Sequence, residues 1–167
     1  SYSGNLGMSC RLLTMALNNQ QDVVAARQRA RQIAQLLGFV AQDQTRIATA
    51  VSEIARNAVQ YAGRGAAEFS LEGEHAPQLL IIRVLDQGPG IRDLESILEG
   101  RYTSASGMGL GILGSRRLMD NFDISSRPGA GTQATLTKML PARAPLFAAE
   151  RAGELTALLA ARRPARA

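Results

Sequence analysis

One cysteine, one histidine, one lysine, no tryptophan and only 4% aromatic residues in 167 positions exclude several kinds of protein before any motif is read. Cys10 has no partner for an internal disulfide and makes no metal site alone, so it reads as a small apolar filler in a reducing compartment. No apolar run approaches the ~20 residues a membrane-spanning helix needs; Leu79–Ile82 is representative. No charged-then-apolar leader precedes a small-residue cleavage site, so a cytoplasmic location without membrane contact is expected. What is present is 46% hydrophobic and 20% charged, enough apolar material for one core. The formal charge of +5 is uneven. Residues 142–167 hold five arginines against Glu150 and Glu154, a net +3, which leaves +2 on the other 141 residues. The remaining arginines are dispersed and lack interleaved aromatics that would stack bases, so no nucleic-acid role is expected.

Periodicity divides the chain into elements. Residues 11–17 have the length and apolar content of a strand. From Asp22, residues Val23, Ala26, Ala30, Ile33, Leu36 and Leu37 recur at three- and four-residue steps up to Gly38, predicting a helix. Asp43 reads as the cap of a second helix whose buried side is Ile47, Ala50, Val51, Ile54, Ala58 and Val59, closing at residues 61–63. Strands are expected at 67–71 and 79–85, joined as a hairpin through 72–77, where the lone His75 reads as an exposed loop residue. A turn at 86–90, a short helix near 93–98, a loop at 100–107, a helix at 109–119, and strands at 122–126 and 132–139 around a turn at 128–131 complete the series. This order predicts an α+β fold, a two-layer sandwich of a mixed, mainly antiparallel sheet with helices on one face. Residues 1–9 are set aside as disordered or extraneous, 10–141 form the expected domain, and 142–167 read as an Arg/Ala-rich helical extension or linker.

Three local features carry chemistry. Glu53 and Asn57 are four residues apart on the second helix, so both project from one face, with Thr49 and Gln60 nearby. A carboxylate beside a carboxamide orients a hydroxyl nucleophile or ligates a hard cation, although a solvated helix face has the same spacing. Asp86-Gln87-Gly88-Pro89-Gly90 follows an apolar strand, where a carboxylate can accept from an exocyclic amine and glycines let backbone approach a flat ring. By itself this is also an ordinary turn. Gly107, Gly109 and Gly111 open a helix, clearing side chains from a place where unpaired N–H groups could meet phosphate. No lysine follows, which excludes a Walker loop, and no strand precedes, which excludes the dinucleotide fingerprint.

Taken in order, these three elements and the box Gly129-Ala130-Gly131-Thr132 resemble the GHKL (Bergerat-fold) ATP-binding superfamily over residues 10–141. The helix text from Asp43 to Asn57, Tyr61-Ala62-Gly63, Asp86–Ile91 and Arg117–Asp120 look like the RsbT-type switch kinases and the related anti-sigma regulatory factors. The resemblance implies ATP and Mg²⁺ as cofactors and a serine/threonine protein kinase acting on STAS-domain antagonist or scaffold proteins in bacterial stress signalling. It implies Glu53 as the catalytic carboxylate, Asn57 as the Mg²⁺ ligand and Asp86 as the acceptor of the adenine amine. Gly88 and Gly90 would line the base, Gly107, Gly109 and Gly111 would contact phosphates, and Thr132 would assist at adenine. Residues 100–108 would form a lid. A homodimer and a downstream phosphatase or sigma-factor regulator complete the partners it allows. Two features depart from related kinases. His75 is not on a helical hairpin of the kind that carries a phosphoacceptor histidine, and the arginine-rich segment after Pro141 exceeds the RsbT-type pattern. The alternatives are therefore a non-catalytic, nucleotide-binding module that sequesters a partner, or the ATP-binding domain of a larger multidomain sensor kinase.

Overall fold

The computed structural model describes residues 8–91, 94–99 and 108–162, with backbone only at 108–110. Five strands form one sheet in the order β1-β2-β3-β5-β4: β1 (Ser9–Leu17), β2 (Gly65–Glu72), β3 (Leu79–Asp86), β4 (Asn121–Arg127) and β5 (Gly131–Met139). Every pairing among them is antiparallel, so the expected α+β sandwich is present, with a sheet that is not mixed. The first strand starts two residues earlier than its apolar text indicates, because Ser9 and Cys10 pair with Glu72 and Leu71. Met8 also accepts a hydrogen bond from the Gly73 N–H. Residues 1–7 lie outside the described residues. His75 is exposed in the β2–β3 connection.

Helix α1 (Gln20–Leu36) begins at Asn19, whose side chain accepts from the Asp22 N–H. Asp22 in turn accepts from the Asn18 N–H at 2.7 Å, so two backbone donors at the helix entrance are satisfied locally. Helix α2 (Ala41–Ala62) corrects the expected cap: its N-cap is Val40, without a side-chain bond, and Asp43 lies inside the first turn. There the carboxylate faces the positive end of the helix and pairs with Arg46 at 3.1 Å and Lys138 at 3.9 Å. The helix closes at Gly63, whose left-handed backbone lets its N–H reach the Val59 carbonyl.

The apolar stripe of α2, from Ile47 through Ala58, is buried against the sheet, where β2, β3 and β5 present Phe69, Ile82, Val84, Ala134 and Leu136. Burial at every second residue explains this face, since successive side chains in a strand alternate. Helix α2 packs across β1, β2, β3 and β5, and its Asn57 and Tyr61 share one cleft with Asp86 at the C-terminal end of β3. Helices α3 (Leu94–Leu98) and α4 (Met108–Leu118) follow. The Ser115 hydroxyl, fully buried, donates to the Ala50 carbonyl and fastens α4 to α2.

Residues beyond Pro141 pack on the same core. Phe147 is 2% exposed, and its N–H and C=O both bond the buried side chain of Gln78. Helix α5 (Ala149–Ala161) then runs along β1, burying Ala152, Leu155 and Leu159. Its last turn is held by the Arg29 guanidinium on α1, which donates to the Leu159 and Arg162 carbonyls at 2.8 and 3.0 Å. A cation at a helix C-terminus satisfies carbonyls that have no partner within the helix. Residues 163–167 lie outside the described residues.

Candidate functional site

The register of three strands sets side by side the polar groups that form the floor of the site. Asp86 on β3 stands opposite Thr132 on β5, and Thr132 stands opposite Ser126 on β4. All three share the parity of core residues on their own strands, Val84, Ala134 and Ile124, so they continue the helix-facing surface where it reaches the sheet end. Ser126 Oγ shares a hydrogen bond with Thr132 Oγ1 at 2.9 Å and accepts from the Ile91 N–H at 2.7 Å. The Asp86 Oδ1 accepts from the Gly88 N–H at 2.9 Å. That bond fixes the carboxylate and leaves its second oxygen without a hydrogen-bond partner among the described residues.

Helix α2 is the other wall. Ile54, Asn57, Ala58 and Tyr61 line a narrow cleft above Asp86, Thr132 and Ile91, with a volume of about 30 Å³. The Tyr61 hydroxyl is buried and has no hydrogen-bond partner among the described residues. Leaving such a group unpaired costs about 1–3 kcal/mol. One turn before Asn57, the Glu53 Oε1 accepts from the Arg56 guanidinium at 3.1 Å. Its Oε2 faces the first turns of α4, where a Cβ added at Gly111 would stand 3.1 Å away. Glu53 and Gly111 thus adjoin one another across the α2–α4 junction, with Asn57 one turn further along α2.

The glycines have distinct placements. Gly90 lines the cleft with φ of +81°, and a Cβ there would overlap the Arg127 carbonyl. Gly88 is not in the cleft lining; a Cβ on it would overlap Ala62 at the end of α2. Its small size brings the 86–90 turn against the helix, which indirectly sets the position of Asp86. The neighbouring turn is joined by the Gly129 N–H, which donates to the Pro89 carbonyl at 2.8 Å. Gly109 and Gly111 lie in the first turns of α4. Gly107 and residues 100–107 of the expected lid lie outside the described residues.

The structure therefore brings Asn57, Asp86, Gly90 and Thr132 together around one cleft and sets Glu53, one turn before Asn57, against Gly111 of α4. Ser126, Tyr61 and Arg56 were missed from the sequence. Tyr61 is four residues beyond Asn57 on the same helix, a spacing that could have pointed to it. Ser126 had no such signal, because only the β4–β5 register places it beside Thr132. Among the described residues, no group of three His, Cys, Asp or Glu is gathered into a metal centre. None of their helices is long and apolar enough to cross a membrane.

Comparison with known proteins identifies the family. Residues 17–138 match the histidine kinase-like ATPase domain family. The chain is 43% identical over 119 residues to the serine/threonine-protein kinase RsbT of Bacillus subtilis, covering 71% of this chain and 90% of that protein. It is 31% identical over 99 residues to an anti-sigma F factor of Clostridium beijerinckii, covering 55% and 68% of the two chains. A solved structure of the RsbU and RsbW domains of Rv1364c from Mycobacterium tuberculosis superposes with a TM-score of 0.53 at 20% identity. That match covers 80% of this chain and 35% of the other, and it shows the shared fold. The chain belongs to the histidine kinase-like ATPase domain family, in its RsbT-type kinase and anti-sigma factor branch.

Proposed function

We propose that the protein is an ATP- and Mg²⁺-dependent serine/threonine protein kinase of the switch type, phosphorylating STAS-domain partners in bacterial stress signalling. One observation carries the reading. A fixed carboxylate, Asp86, and the buried Tyr61 line one cleft with Asn57, and Glu53, one turn earlier on α2, faces the glycine-opened helix α4. At about 30 Å³ the cleft as it stands holds no more than a water molecule, and it opens to take the adenine, with Asp86 accepting from its exocyclic amine and the Thr132–Ser126 hydroxyl pair beside it. The phosphates extend toward α4, where glycines leave room for backbone N–H groups to approach them.

The donor set fits magnesium, which prefers oxygen ligands and commonly shares them between protein and nucleotide. Asn57 would supply the protein oxygen, and the ion would supply positive charge against the nucleotide's phosphates. Glu53 receives the proton of an incoming Ser or Thr hydroxyl as that oxygen bonds to the γ-phosphorus and the bond to the ADP oxygen breaks. Arg56 holds Oε1, which leaves Oε2 on the α4 side for that task.

The test is transfer of label from γ-labelled ATP to a cognate STAS protein. Wild type transfers phosphate, Asn57→Ala and Glu53→Gln do not, and equal labelling by wild type and Asn57→Ala would refute the kinase reading. The likeness to anti-sigma F factors favours a second reading, a module that sequesters its partner in a nucleotide-dependent way. Nucleotide-dependent capture of a partner without phosphotransfer would select it.

A further inference from the structure

Three polar groups converge on one half-buried hydroxyl at the end of the sheet. Ser126 Oγ accepts from the Ile91 N–H at 2.7 Å, meets Thr132 Oγ1 at 2.9 Å and lies 3.3 Å from the Gly131 carbonyl. A serine hydroxyl has one proton and two lone pairs. The Ile91 N–H can only donate, so it takes a lone pair. The proton is left to Thr132 or Gly131. O–H···O bonds run from about 2.5 to 3.0 Å, so the proton goes to Thr132 and the Gly131 contact is the weaker one. Thr132 Oγ1 is then an acceptor toward Ser126 and keeps its own proton unspent among the described residues. Thr132 lines the cleft and is paired in register with Asp86, which lines it too. Side chains of directly opposed residues in an antiparallel pair stand side by side on one face.

We infer that Ser126 is a positioning residue: by giving its proton to Thr132 it holds that hydroxyl as a hydrogen-bond donor to the cleft. The sheet end then presents an acceptor, the second oxygen of Asp86, beside a donor. That order matches an amino group next to an unprotonated ring nitrogen, so a 6-aminopurine is read at two atoms of its edge. A base with a carbonyl next to a ring N–H presents the opposite order at both. Were the Ser126 proton spent on Gly131, Thr132 would donate to Ser126 and offer the cleft only lone pairs, against the lone pair of the ring nitrogen. The same oxygen holds the N–H of Ile91, which lines the cleft, so one hydroxyl steadies a wall of the cleft as well as its floor. Ser126 itself lines no part of that cleft and acts through Thr132 and Ile91. The inference rests on the nucleotide reading for the identity of the ligand, and adds the residue that sets the polarity of the surface the base meets.

The test is calorimetric affinity of the full chain for Mg-ATP and for Mg-1-deaza-ATP, in which C–H replaces the six-membered-ring nitrogen beside the amino group. Wild type is expected to prefer ATP by about tenfold, the scale of one hydrogen bond. Ser126→Ala should weaken ATP by at least about fivefold and narrow the preference to within about twofold, because Thr132 loses the proton that orients it. Ser126→Thr keeps a hydroxyl on a strand that accepts β-branched residues, and should restore both values. Thr132→Val, without a donor, should abolish the preference. Thermal midpoints without nucleotide report whether each variant folds, and the Ser126→Thr rescue carries the test if the alanine variant does not. Equal weakening of both nucleotides in Ser126→Ala, with the tenfold preference intact, would reduce Ser126 to a support of the 86–91 turn and overturn the inference. A wild type that binds ATP and 1-deaza-ATP alike would overturn it too, while leaving the nucleotide reading in place. A wild type that binds neither would sink that reading, and the role of Ser126 with it.

Discussion

A single oxygen distinguishes Asp86 from asparagine, and that oxygen decides how the cleft treats a purine amine. With Oδ1 committed to the Gly88 N–H, the remaining oxygen of Asp86 is the charged acceptor for a ligand. Asp86→Asn replaces that acceptor with an amide, and the loss of a charge-assisted bond at a half-buried contact costs about 1–3 kcal/mol. Mg-ATP affinity measured by calorimetry should fall by roughly 5- to 150-fold, each ~1.4 kcal/mol being tenfold. Undiminished affinity would remove Asp86 from the site. At Gly111 the expectation is different in kind. A methyl group there presses on Glu53 Oε2 and leaves the Asp86 side untouched, so Gly111→Ala should lower phosphotransfer far more than nucleotide affinity. Parallel losses in both would show that Gly111 acts on binding instead. At this scale the sequence was legible where one helix or one turn carries the pair. Glu53 and Asn57 share a face because of helical pitch alone, and Gly90 needed its left-handed backbone. Ser126 was not legible, since its partnership with Thr132 depends on the pairing of two strands. Gly88, expected to line the base, instead leaves room for Ala62 at the end of α2, a contact only the fold creates.

The elements followed from periodicity with errors that have physical causes. The stripe of α2 is set by apolar recurrence, but its start is not, because Asp43 suits the first turn of a helix electrostatically as well as it suits a cap. Strand ends extended past their apolar text, as at Ser9 and Gly65, because backbone pairing with a neighbour does not require apolar side chains. The C-terminal helix shows the larger limit. Its composition indicated helix, but Leu155 and Leu159 on an alanine-rich helix do not say which surface they cover. That information lies in Gln78, a polar residue in the β2–β3 hairpin that bonds both backbone groups of Phe147. Gln78→Ala leaves a buried N–H and C=O without those partners, a loss of about 1–3 kcal/mol for each unpaired group. The urea midpoint should drop accordingly while Mg-ATP affinity remains, because the cleft lies at the opposite end of β3. A variant as stable as wild type would show that the segment after Pro141 is not anchored through this residue.

At the scale of the molecule, the cleft draws on α2, β3, β4 and β5, residues from 54 to 134 in the chain. No local segment contains it, so it exists only in the folded state, and any ligand it binds must stabilise the whole domain. Mg-ATP at a hundredfold excess over its dissociation constant adds about 2.7 kcal/mol by linkage. For a domain of this size each kcal/mol moves the melting midpoint by roughly 2–4 °C, so a rise of about 5–10 °C is expected in a thermal-shift titration. The increment should grow with the logarithm of ligand concentration above saturation. It should shrink sharply in Asp86→Asn at the same ATP concentration, and persist in Gln78→Ala from a lower starting midpoint. GTP presents a carbonyl where ATP presents an amine, so it sets an acceptor against the Asp86 carboxylate and should give a smaller rise. A midpoint indifferent to ATP in wild type, or one raised equally in Asp86→Asn, would mean that the groups converging at the end of β3 do not hold the nucleotide.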